Sequence, residues 1–250
     1  MKIALLTGGS RGLGKSMSLH IAAKGNDVVL TYKSKRAEAE EVVKQIEQSG
    51  RKAASLALDV SDSKSFDGFA ERLKQVLQAK WKRDDFNFLV NNAGIGIYAP
   101  FAETSEKQFD ELMNVQLKGP FFLTQKLLPL IKDGGRIVNI STGLARFALP
   151  GYAAYATMKG GIEVLTRYMA KELGARRISV NVVAPGAIET DFAGGAVRDN
   201  KEVNKFLASQ TALGRVGLPD DIGSVVASLL GDDSHWITAQ RIEASGGMFL

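Results

Sequence analysis

The chain has 250 residues, 45% of them hydrophobic and 24% charged, which excludes a disordered chain and leaves room for one or two packed units. It lacks cysteine, which rules out disulfides, thiolate metal sites and a cysteine nucleophile and suits a reducing compartment, with the cytoplasm the expected location. The net charge of +5 suits an anionic ligand, yet no Lys/Arg block is interleaved with aromatics and no apolar run approaches the roughly 20 residues that span a bilayer, so neither nucleic acid nor membrane is expected as a partner. The only histidines, His20 and His235, lack ligand spacing, and no metal site is expected.

In chain order, the opening residues run straight into a glycine loop and read as a first strand, not as a secretory signal. Apolar, β-rich runs follow at 3–7, 27–32, 53–58, 86–92, 136–141, 178–184 and, most weakly, 239–244. Between them, apolar spacings of three and four predict helices at 15–24, 37–48, 64–79, 106–130, 152–173 and 220–230. Strict alternation of this kind predicts an α/β fold: a doubly wound, seven-stranded parallel sheet of Rossmann type with helices on both faces. No linker or repeat divides the chain, so residues 1–250 read as one dinucleotide-binding and catalytic domain. The stretch 188–213 is irregular and contains glycines, and is expected to be a mobile substrate lid.

Directly after the first strand stand Thr7, Gly8, Gly9, Ser10, Arg11, Gly12, Leu13 and Gly14, followed at once by a helix. Glycines there allow a tight turn and close approach of backbone to a pyrophosphate, whose charge the helix N-terminus meets. This spacing departs from G-x-G-x-x-G and resembles the T-G-x-x-x-G-x-G of the short-chain dehydrogenase/reductase family. The resemblance continues through Asn91-Asn92-Ala93-Gly94, the Y-x-x-x-K of Tyr155 and Lys159, the turn at Pro185-Gly186, and a closing helix and strand over 213–247. It is closest in pattern to 3-oxoacyl-[acyl-carrier-protein] reductases. It implies an oxidoreductase that interconverts a carbonyl and a secondary alcohol, and a homotetramer.

Tyr155 and Lys159 are four apart on a predicted helix, so both project from one face. On spacing alone they could be an ordinary surface pair. As a catalytic pair, a nearby ammonium would bring the phenol's pKa, ordinarily near 10, closer to working range. The resemblance assigns Tyr155 as general acid/base, Lys159 as holder of the cofactor ribose, Asn114 as the amide holding a water near the lysine, and Thr142 as the hydroxyl that polarises the substrate. A one-residue shift of the strand end would give that last role to Ser141, because neighbours on a strand point oppositely.

The resemblance also places cofactor contacts at the glycine loop, at Asn91, Ala93 and Gly94, and at Pro185, Gly186, Ile188 and Thr190. NAD-preferring members carry an acid at the end of the second strand; this chain has Tyr32, Lys33, Ser34, Lys35 and Arg36 there, with Arg11 in the loop, so NADP(H) is expected over NAD(H). Asp59 and Val60 match the family's adenine pocket, although Asp59 could equally cap the next helix.

The substrate reading is a 3-oxoacyl thioester, with a sugar, a steroid or another small ketone as the alternative. Arg176 and Arg177 either dock an acidic acyl carrier protein or complement the end of the preceding helix. Segment 144–150 with Ile95, Ile97, Tyr98 and Phe192 forms an apolar pocket edge, in which Arg146 faces an anion or solvent. From other classes stand an NADP-binding sensor or scaffold without turnover, which the retained Tyr155 and Lys159 disfavour, and a sugar-nucleotide epimerase or dehydratase, which the compact length disfavours.

Overall fold

The structure is a computed structural model that describes all 250 residues. Seven strands, β1 (Ile3–Leu6), β2 (Asp27–Tyr32), β3 (Ala53–Ala57), β4 (Phe86–Asn91), β5 (Ile131–Ile140), β6 (Ser179–Pro185) and β7 (Arg241–Ala244), form one sheet in the order β3-β2-β1-β4-β5-β6-β7. Every pairing is parallel. Crossovers run through α1 (Gly12–Ala23), α2 (Arg36–Gln48), α3 (Phe66–Trp81), α4 (Glu106–Met113), α5 (Gly119–Leu127) and α6 (Ala153–Glu172). After β6 come α7 (Ala196–Asp199), α8 (Lys201–Ser209) and α9 (Pro219–Leu229).

The period-two rule for strands explains how the sheet is covered. Ile3, Leu5 and Val29 point into a core with Phe69 and Leu73 of α3, Leu123 of α5 and Ala170 of α6. Ala4, Leu6, Val28 and Leu30 point the other way, onto Met17 and Ile21 of α1, Val42 of α2 and Ile222 and Val226 of α9. All four β1 residues are buried, so the central strand carries no polar face and reads as a continuous apolar run.

The fold is the expected Rossmann type, with two local corrections. The helix expected over 106–130 is interrupted by a π turn at Asn114–Lys118, followed after α5 by a 3-10 turn at Leu128–Leu130. Pro120 supplies no N–H to the helical ladder, and the Gly119 N–H reaches back five residues to the Asn114 carbonyl. Gly119 also permits contact with β3's exit, since a Cβ there would lie 2.3 Å from the Val60 carbonyl oxygen.

The second correction concerns 188–213, which is largely helical. The Asn200 Oδ1 accepts from the N–H groups of Glu202 and Val203 and starts α8, whose Leu207 is buried. The glycines at 194 and 195, both at positive φ, belong only to the turn before α7.

Candidate active site

Strand order reverses between β1 and β4, and there the loops leaving the carboxyl ends of the strands diverge and open a crevice. A cavity of about 480 Å³ fills it, within the range of cofactor sites. Its walls are the segments that follow β1, β2, β3, β4, β5 and β6.

The cradle at one end is made of backbone. Gly8 sits at φ +69°, and a Cβ on Gly14 would lie 1.9 Å from the Gly8 carbonyl oxygen, so the loop folds onto the start of α1 only with glycine there. Thr7 Oγ1 accepts from the N–H groups of Asn92 and Ala93, and Asn92 Nδ2 donates to the carbonyls of Thr7 and Gly8, which locks this loop to the one after β4. The first turn of α1 has neither a side-chain cap nor an acid, leaving its N–H groups turned to the cavity lined by Ser10, Arg11, Gly12 and Leu13. That donor set fits a phosphate.

Tyr32, Lys33, Ser34 and Lys35 line the cavity with no acid among them. Lys33 Nζ lies 2.8 Å from Asp59 Oδ2, and Arg11 lies 3.7 Å from Asp191. The other Asp59 oxygen accepts from the N–H and hydroxyl of Ser61, while the following 3-10 turn is capped by Asp62, so Asp59 and Val60 stay on the cavity wall and the capping alternative falls to Asp62. Ala93, Gly94, Pro185, Gly186, Ile188 and Thr190 also line it.

At the far end Tyr155 and Lys159 rise from α6, 6% and 5% exposed. Lys159 Nζ donates to the Ile140 carbonyl at 2.8 Å and stands 5.7 Å from the centre of the Tyr155 ring. Burial lowers the lysine's pKa to about 7. Burial also drives the phenol well above its ordinary range, and the Thr142 hydroxyl beside it pulls weakly the other way. The expected lowering by Lys159 is therefore corrected: desolvation dominates both groups. Ser141 gives its hydroxyl to Glu163 Oε1 at 2.7 Å, whereas the Thr142 hydroxyl lies beside the phenol; both residues line the cavity.

Comparison with known proteins agrees with this geometry. A family model described as Enoyl-(Acyl carrier protein) reductase matches residues 8–249. The hydroxynaphthalene reductase-like protein Arp2 of Metarhizium brunneum is 35% identical over 98% of this chain and 94% of its own. The angucycline C-6 ketoreductase LanV, solved with bound NADP, superposes with a TM-score of 0.94 at 36% identity, covering 99% of this chain and 95% of its own. A short-chain dehydrogenase/reductase from Serratia marcescens gives 0.91 at 30% identity over 100% and 98%.

The chain belongs to the short-chain dehydrogenase/reductase family. Two site expectations of this family member are corrected by its structure. Asn91 is buried away from the cavity, its Nδ2 donating to Thr124 Oγ1 and Asn139 Oδ1, and Asn92 takes the wall instead. Asn114 spends its carbonyl on the π turn, and the cavity is lined two residues later by Gln116, 1% exposed. Gln116 Nε2 donates to the Ile95 carbonyl and its Oε1 has no partner. The sequence signal for it was Gly119-Pro120 inside a helical run, which shifts the register of the residues before it.

Arg146 turns from the pocket to clasp Glu243, and Arg176 is held by Asp133 and the carbonyls of Leu128 and Ile131. Tyr98 packs edge-on to Tyr152 at 5.5 Å, and Tyr155 lies 5.7 Å from the ring of Phe192. Tyr152 and Phe192, with Phe147 and Leu149, line the space over the phenol, whereas Tyr98 is largely exposed and, like Ile97, lies off the cavity wall, which corrects the expected pocket edge at those two residues.

Proposed function

We propose that this short-chain dehydrogenase/reductase reduces the ketone of an aromatic or polycyclic substrate with NADPH, Tyr155 acting as the general acid. The observation that carries this reading is the buried Tyr155 hydroxyl, set beside Thr142 under a wall of aromatic rings, in one cavity with the glycine cradle. NADPH, held by the cradle, by Lys33 and Arg11 and by Lys159, supplies the hydride.

The residues do the rest. Thr142 donates to the substrate oxygen and holds it against Tyr155, which gives its proton to that oxygen as negative charge develops there. The phenol is protonated at neutral pH, as the reducing direction requires, although burial makes it a weaker acid than a free phenol. Lys159, whose pKa near 7 lets it gain or lose a proton at neutral pH, restores the proton to Tyr155. We read Phe192 and the helical segment 188–213 as the wall that closes on the substrate. The aromatic lining favours a ring ketone over a 3-oxoacyl thioester, as do relatives whose names describe naphthalene and angucycline reductases. Exposed Phe121, Phe122 and Tyr168 on α5 and α6 support assembly as a homotetramer.

The test is loss of NADPH absorbance with 2-tetralone and, separately, acetoacetyl-coenzyme A. Tetralone turnover should run at least ~10-fold faster with NADPH than with NADH and fall by ~10²-fold or more in Tyr155→Phe. Turnover of acetoacetyl-coenzyme A alone would move the assignment to thioesters; failure to bind NADPH would overturn it entirely.

A further inference from the structure

Behind the wall that carries Thr142 lies a chain of four charged side chains, two of each sign. Arg241 on β7 donates from Nε to Glu163 Oε1 at 2.8 Å, from Nη1 to Glu243 Oε2 at 2.7 Å, and from Nη2 to the carbonyl oxygen of Thr142 at 3.2 Å. Glu163 Oε1 also receives the Ser141 hydroxyl. Arg146 grips both oxygens of Glu243 at 2.7 Å and reaches on to the carbonyls of Met248 and Phe249. The Glu163 and Arg241 side chains are only 13% and 23% exposed, so this is not a solvated surface pair of little consequence. Although burial opposes its charge, the bonds to Glu243 and Glu163 hold Arg241 firmly protonated.

Every segment tied by this network ends at the site. Glu163 lies one turn beyond Lys159 on α6, Ser141 and Thr142 follow the last residue of β5, and Met248 lines the cavity. The Ser141 N–H still bonds the Val183 carbonyl of β6, but Thr142 lies past the end of the strand: its hydroxyl oxygen accepts from the Leu144 N–H and its carbonyl from the Ala145 N–H, both at 3.3 Å, and beyond this one turn the peptide that aims its hydroxyl is held from the side-chain layer. Arg241 grasps that peptide's oxygen, and Glu163 fixes both Arg241 and the preceding residue.

We propose that Arg241, backed by Glu163, is a positioning residue that sets the Thr142 hydroxyl toward Tyr155 and the substrate. This rests on the reading of Thr142 as the group that polarises the carbonyl. A planar guanidinium with several donors in a fixed fork spans three acceptors at once, which an ammonium cannot do.

The test is a double-mutant cycle. In otherwise wild-type enzyme, Arg241→Met should lower kcat for the ketone about 10- to 100-fold, leaving the NADPH dissociation constant within about twofold; Arg241→Lys, which keeps the charge and loses the fork, should lose nearly as much. In a Thr142→Ala background the same Arg241→Met change should cost less than about threefold, because the group it positions is already gone. Losses that multiply, or a kcat unmoved by Arg241→Met, would overturn the proposal. Amide hydrogen exchange of the segment 140–149 apart from Leu144, whose N–H is bonded to the Thr142 hydroxyl oxygen, read on the same proteins without substrate, should quicken in Arg241→Met and not in Thr142→Ala. If the wild type reduces no ketone, the functional reading fails by itself, and unchanged exchange in Arg241→Met then overturns the positioning claim separately. Should Arg241→Met fail to fold, the isosteric Glu163→Gln carries the same expectations.

Discussion

The two ends of the cavity are built by different means. Around β1 and β4 the site is backbone: glycines at 8 and 14 bring the loop within contact of itself, and hydrogen bonds accepted by Thr7 Oγ1 and donated by Asn92 Nδ2 tie it to the next loop. Around β5, α6 and β7 the site is made of side chains, with buried Tyr155 and Lys159 on a helix and Thr142 flanked by a charged network. The first kind of site tolerates almost no change at a few positions and is indifferent elsewhere. The second kind degrades in steps, because each side chain has partners that can partly compensate.

The sharpest break in that comparison is expected at Gly14. A Cβ placed 1.9 Å from the Gly8 carbonyl oxygen also meets Asn92 Nδ2 at 2.8 Å, so Gly14→Ala must open the loop and turn the N–H groups of α1 away from the phosphate. NADPH affinity should fall at least ~100-fold in a fluorescence titration, with a lowered Tm. Near-native affinity would show that the cradle can yield, and that the contrast between the two ends is overdrawn.

A smaller effect is expected at Gln116, where the π turn delivers a side chain to the middle of the cavity. Its unpartnered, buried Oε1 is a cost in the empty enzyme, of about 1–3 kcal/mol for such a group. Gln116→Leu should therefore leave the Tm of the protein without cofactor unchanged or raise it, while kcat/KM falls about tenfold. A drop in Tm with full activity would make Gln116 a purely structural link between the π turn and Ile95.

The same division explains what was legible in the sequence. The strand pattern, the glycine loop and the Tyr155/Lys159 pair could be read because they depend on local sterics, period-two alternation and a four-residue helical spacing. Asn91 was misplaced because which of two adjacent amides faces the cavity is a matter of strand parity, and Asn91 points instead to Asn139 and Thr124. The expectation at Asn114 missed Gln116, the side chain that lines the cavity, because a π turn adds a residue to the helical count, and only Gly119-Pro120 signals it. Helix α8 was hidden by the glycines before it. Arg146 was expected to face an anion or solvent, but its partner is Glu243, 97 residues away, a pairing no local pattern announces.

A separate test reaches the side-chain end through protons. Lys159 has a pKa near 7 in the folded protein, against an ordinary value of 10.5, because burial disfavours its charge. Between those values the unfolded chain holds a proton that the folded one has released, so this residue makes stability rise with pH across roughly 7 to 10.5, with a slope approaching about one proton, and adds no slope well below 7. Lys159→Met should remove that rise and, because it also removes a buried charge, gain most relative to wild type at pH 6, where the wild-type lysine is protonated. Denaturant unfolding of the cofactor-free proteins from pH 6 to pH 9 measures the difference. Parallel curves would mean that Lys159 titrates in the folded chain as it does in the unfolded one, and the return of a proton to Tyr155 could not then rest on a lysine that gains and loses its proton near neutral pH.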